Sequence, residues 1–174
     1  MKFPESTLSR LECQHLAIRQ YLKDLPFEAM HSPEPDDKGS LQELIAYVCR
    51  YQQIFSARIE RIISEINPFF EIYTSDVDKD FRLALARPSE SLLQQIDMDR
   101  KQVIRQLRAL SASDCSRIGT HATMGKMNIV QWTDFFLFHE CHQLFKIFRQ
   151  ANRFWESKNQ KDNVYCLRQP YLAG

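Results

Sequence analysis

The sequence predicts an all-α chain folded as a four-helix bundle, and three observations carry that prediction. Glycine is scarce, with only four among 174 residues, so glycine-dependent hairpins and phosphate loops are nearly excluded. Four segments repeat apolar residues at spacings of three and four, which puts them on one side of a helix. Each of those segments is bounded by a proline, a glycine or a capping side chain, as helix ends require. A chain of this length buries ~70% of the surface its unfolded form exposes, so its core needs neither a metal nor a disulfide.

In the first segment Leu8, Leu11, His15, Ile18, Leu22 and Leu25 trace one stripe that ends at Pro26. The second opens with Ser40 and Glu43, a capping box that satisfies orphan backbone N–H groups, and runs to about Asn67, before Pro68. Leu41, Leu44, Val48, Gln52, Phe55, Ile59, Ile62 and Ile66 keep its period, and Tyr47, Tyr51, Ile54 and Arg58 form an adjacent stripe. The linker from Phe69 to Pro88 exceeds the usual join between antiparallel helices, which predicts a long crossover between helices 2 and 3 that carries Asp76 and Asp78 over one end. The third helix begins near Ser89, carries Leu93, Ile96, Val103, Leu107 and Leu110, and stops in the polar cluster Ser111 to Ser116.

The fourth begins with Asn128 as N-cap and Gln131 three residues on, and aligns Ile129, Trp132, Phe136, His139, Gln143 and Ile147. A second stripe holds Phe135, Phe138, His142 and Phe145. A helix apolar around more than half its circumference is either central in the bundle or shared with a second subunit, and a homodimer is the expectation. Residues 1–156 are read as one helical domain, and 157–174 as an irregular tail that Val164, Tyr165, Tyr171 and Leu172 dock back onto it.

Charge narrows the function. With 23 basic against 22 acidic side chains interspersed, the chain lacks the basic footprint that nucleic-acid binding requires. No apolar run is long enough for a secretory leader or a membrane span, so a cytoplasmic protein without membrane or nucleic-acid partners is expected. Cysteines 13, 49, 115, 141 and 166 are odd in number, widely spaced and without a CxxC pair. They read as reduced thiols, and Cys49 and Cys141 as small core residues.

The string Phe136-Leu-Phe-His-Glu-Cys-His-Gln-Leu-Phe145 sets polar groups in the middle of an apolar helix, where they need partners. His139 and Gln143, four apart, share a face and can hold one metal; His139 with His142 is the other pairing. His15 reads as a core histidine bonded to a carbonyl, unless it converges with His139 and His142 on a metal. Glu140 reads as an ion-pair partner for an arginine, and Asp76 and Asp78 as turn caps or as groups that position a substrate. His121, before the Gly125 turn, is expected in solvent; His31 belongs to the first linker.

The second-helix string Leu44-Ile-Ala-Tyr-Val-Cys-Arg-Tyr-Gln-Gln-Ile-Phe-Ser-Ala-Arg58, with Gly125-Lys-Met-Asn-Ile129 and His139-Glu-Cys-His-Gln143, resembles the DinB superfamily, of the DinB/YfiT-like type. The resemblance covers roughly residues 38–152. It implies an up-down-down-up bundle, and a divalent metal such as nickel, zinc, manganese or iron held by one histidine of helix two and an HxxxH pair of helix four. It implies activities such as thiol-dependent transfer, besides members with none assigned. Carried over by position, Tyr47 stands for the helix-two histidine, His139 for the first of the pair and Gln143 for the second. Arg58, Tyr73, Asp76 and Asp78 are similar to the family pattern, whereas Arg50 and Gln52 replace acidic residues.

A phenol that ionises near pH ~10 and a neutral amide are poor substitutes for imidazole. Tyr47, His139 and Gln143 therefore read as a hydrogen-bond network, a weak or exchanged metal site, or a metal-free binding site. Tyr47, Tyr51, Arg58, Asp76 and His142 are the expected substrate contacts. The expected function is a small-molecule binding or scaffold protein with a weakened or lost metal site; the alternative is a metal-dependent thiol transferase or hydrolase.

Overall fold

A computed structural model describes residues 3–33 and 39–167, with side chains to residue 158. The first bundle helix is bent: α1 (Glu5–Cys13) passes through a 3-10 turn (Gln14–Leu16) into α2 (Ala17–Leu22), and a short α3 (Phe27–His31) follows. The long helices are α4 (Leu41–Ser64), α6 (Ser89–Arg108) and α8 (Ile129–Leu167). The expected caps form. Ser40 and Glu43 close a capping box on α4, and Asn128 and Gln131 exchange backbone-to-side-chain bonds of 3.0 Å at the start of α8.

Cross-helix pairs give the helix directions. Gln42 reaches the Arg87 carbonyl and Gln52 the Ile96 carbonyl, so α4 and α6 are parallel. Phe55 stacks on Phe136 while Gln150 bonds the Gly39 carbonyl, so α4 and α8 are antiparallel. Thr7 meets Asp134 and Gln14 meets Glu140, so α1 and α8 are parallel. The order is up-down-down-up. Two parallel neighbours cannot be joined by a tight turn, which is why the chain spends residues 65–88 crossing back along α4. That crossover is not bare loop: it holds β1 (Phe69–Phe70), a 3-10 turn (Ser75–Val77) and α5 (Lys79–Leu85).

Four expectations need correction. The polar segment after α6 forms α7 (Ala112–Cys115), capped by Ser111, and then a hairpin, β2 (Ile118–His121) and β3 (Gly125–Asn128). β1 joins β2 in parallel, which makes a three-stranded sheet. One glycine sufficed for the turn, because Gly125 takes a φ of +73°, the left-handed value that closes a three-residue hairpin loop. His121 is buried on Trp132 and Phe135 and not solvated, because the hairpin folds against α8. Residues 157–167, expected to be irregular, continue α8 as helix. The side chains of Val164 and Tyr165, and all of Tyr171 and Leu172, lie outside the described residues. Finally, Cys49 is buried but Cys141 is exposed, since it lies on the outward face of α8 with Phe138 and Phe145.

The core holds a buried ion pair. Arg100 on α6 is 1% exposed and Glu140 on α8 is 2% exposed, and the two form an ion pair. The guanidinium also donates to Gln52 Oε1 at 2.7 Å and to the Leu11 carbonyl at 2.9 Å, and Gln14 donates to Glu140 at 2.9 Å. One arginine thus touches all four bundle helices. Removing one partner strands a buried charge at a cost of about 3–5 kcal/mol, whereas apolar replacement of both is tolerated. Urea denaturation of Glu140→Ala should show a loss of that size, and Arg100→Met with Glu140→Leu should regain most of it. An additive loss in the double variant would refute the coupling.

Candidate functional site

Tyr47 leaves the second turn of α4 and His139 leaves α8 about three turns from its start, and the antiparallel pairing of the two helices brings them together. The Tyr47 hydroxyl lies 3.3 Å from His139 Nε2. Tyr51, one turn further along α4, lays its ring on His139 with centroids 3.8 Å apart. Tyr73 and Phe81 come from the crossover and close the cluster against Tyr47, at 5.6 and 6.2 Å. The apolar stripe of α4 is therefore capped at this level by four aromatic rings and an imidazole.

Burial sets the protonation. It pushes the Tyr47 phenol up to about 12, with Tyr51 adding to the shift. It pulls His139 down to about 4, helped by His142, Lys146 and Arg58. At neutral pH both the ring and the phenol are uncharged, and the tautomer of the imidazole decides which of the two donates in their hydrogen bond. Tyr73 is also raised by burial and by its hydrogen bond to Asp78.

Beside the cluster opens a cavity of about 340 Å³, lined by Glu43, Tyr47, Asp76, Phe81, Gln143 and Lys146 among others. The structure therefore brings Tyr47, Gln143 and Asp76 to one space, with His139 and Tyr51 behind Tyr47. Asp78 turns away to cap α5 and to pair with Arg50 at 2.7 Å.

Two expected contacts lie elsewhere. Arg58 is buried between the Phe70 and Trp132 rings and donates to the Glu71 carbonyl at 2.7 Å; it bonds Tyr51 and reaches Tyr47 and His139 only through its charge. His142 is exposed on α8. His15 packs between the first helix and α6 with Nε2 3.4 Å from Asp97, so no three-histidine set forms with His139 and His142. Among the described residues no three His, Cys, Asp or Glu side chains come close enough to hold a metal.

Sequence reasoning missed Lys146, Phe81 and the second role of Glu43. Lys146 was legible as the residue three beyond Gln143 on the same face of α8. Phe81 was not, because its helix lies in a segment read as linker.

A family model for the DinB superfamily matches residues 11–144. The chain belongs to the DinB superfamily. Among solved structures, YfiT from Bacillus subtilis matches with a TM-score of 0.75 at 14% identity, covering 86% of each chain. That protein is described as a probable metal-dependent hydrolase with an unusual four-helix bundle topology. At this identity the likeness shows the fold, and it agrees with the helix directions found here. A comparison with curated proteins found no match.

The depressed His139 value has a consequence for stability. Between pH 6.5 and about 4 the unfolded ring takes up a proton that the folded ring refuses, so unfolding gains a proton and is favoured as pH falls through that window. His15 and His121 are lowered too, chiefly by burial, so the comparison is with a variant. His139→Gln should lose less stability than the parent across this range in urea titrations; parallel losses would contradict it.

Proposed function

We propose that this DinB-type bundle has a degenerate metal site and binds a small molecule at the Tyr47 cavity without a tightly held divalent metal. The Tyr47–His139 hydrogen bond carries the reading: the ring nitrogen that faces α4 is engaged by a phenol. The donor set supports it. A phenol raised to about 12 does not ionise at neutral pH, and the amide of Gln143 is a weak ligand for metals that prefer imidazole. The three residues do not fit a tight divalent site, so no chemical step is assigned through a metal. What they suit is recognition: a hydroxyl, an amide, a lysine and carboxylates around a partly aromatic wall.

Metal titration tests the reading. Under reducing conditions the parent should retain less than about a tenth of an equivalent of nickel, zinc, manganese or iron, and Tyr47→His with Gln143→His should approach one equivalent, since three imidazoles then face one point. Stoichiometric metal on the parent would overturn the proposal in favour of a metal-dependent transferase or hydrolase.

We also propose that the partner of the exposed α8 face is a second copy of this chain. Phe138, Phe145 and Phe148 form an exposed ridge there, and Phe145 and Phe148 are also one wall of a groove of about 610 Å³ that Cys13, Ala17, Tyr21 and Leu144 line. Ridge and groove share one face, so a two-fold axis lets each copy fill the other. Light scattering should report a dimer for the parent and a monomer for Phe145→Glu; a monomeric parent would refute the pairing.

A further inference from the structure

A second concave site lies away from the Tyr47 cavity, between the first bundle helix and α6. It encloses about 540 Å³ and is lined by Glu12, His15, Leu16, Asp97, Arg100, Lys101, Ile104, Arg105 and Arg108. Four of these nine residues are arginine or lysine, against two carboxylates. His15 and Leu16 reach it from the 3-10 turn at Gln14–Leu16, which interrupts the first helix.

The charges do not cancel evenly. Glu12 is paired with Arg108. Asp97 is shared by Arg19 at 3.2 Å and His15 at 3.4 Å. Arg100 is neutralised by Glu140 beneath the floor. Lys101 and Arg105 remain; both are exposed, and no carboxylate among the described residues forms an ion pair with either. They are four apart on α6 and so project from one face over the same hollow. Beside them Leu16, half exposed, and Ile104 offer an apolar wall.

We infer that this groove binds a phosphomonoester with an apolar body. The two uncompensated cations match the roughly doubly negative charge of a phosphate monoester at neutral pH, and the guanidinium of Arg105 presents donors in the fork that phosphate oxygens accept. The low-dielectric floor built by buried Arg100 and His15 strengthens that attraction over what an open surface would give. Leu16 and Ile104 take the organic part. The balanced net charge of the chain is compatible with this, since a small dianion needs two local cations and not a basic face.

Phenyl phosphate is the probe, titrated at low salt and followed by amide chemical shifts, with inorganic phosphate and phenol as its separate halves. Saturable shifts should appear at Leu16, Lys101 and Arg105, stronger for the whole probe than for either half. Affinity should fall by at least about tenfold in Lys101→Gln with Arg105→Gln, a change in two exposed side chains that leaves the core intact, and it should weaken with added salt. Unchanged affinity in that variant overturns the assignment. So do shifts centred on Tyr47 and Gln143, or no saturation at millimolar probe. The Tyr47 site and this groove stand or fall separately, because their lining residues do not overlap.

Discussion

The buried contact between Arg100 and Glu140 constrains the rest of the bundle. A guanidinium 1% exposed tolerates burial only if its donors are satisfied, and here they reach Gln52 on α4, Leu11 on α1 and Glu140 on α8. Such a group permits one axial register. Slipping any helix by a turn would break a bond in a medium where the loss is expensive. Because Glu140 adjoins His139 in sequence, the arginine that locks α8 also fixes the height at which the imidazole meets Tyr47.

That arrangement leaves the residues at positions 47 and 143 outside what holds the fold together. The hydrophobic clusters on both sides of the ion pair are built from residues such as Leu11, Phe55, Leu107 and Ile147, none of which is a candidate ligand. At positions 47 and 143 the requirement is only that a buried polar group find a partner. Tyr47 and His139 answer it between themselves, with Tyr51 stacked on the ring.

The helices and their caps were legible because each rests on local periodicity and end signals, whereas the meeting of Tyr47 with His139, on two different helices, followed only from the resemblance to the DinB superfamily. Arg100 was not legible. In sequence it is one more charge on an amphipathic helix, and nothing within its own segment says that its face turns to the core or that Gln14 and Gln52 await it. The sheet was hidden for a related reason: β1 and β2 are short, and they pair in parallel across a wide chain interval, so neither shows an alternating pattern of its own. His121 and Cys141 were misplaced because burial depends on which element packs against a residue. His121 is covered by the last helix, whereas the outward turn of α8 leaves Cys141 bare.

The up-down-down-up order also shapes how the chain assembles. Thr7 and Gln14 find their partners 127 and 126 residues away, so the first helix, which also packs on α6, lacks one side of its seat until the last has been synthesised. Bundles with consecutive antiparallel neighbours close one hairpin at a time, through contacts local in sequence. Here nearly the whole chain must be looped before the first and last helices meet, and folding is expected to be slow for a helical domain of this size. An emerging chain would then leave the apolar stripe of α1 and α2 without any partner until α6 has emerged, and half covered until α8 has.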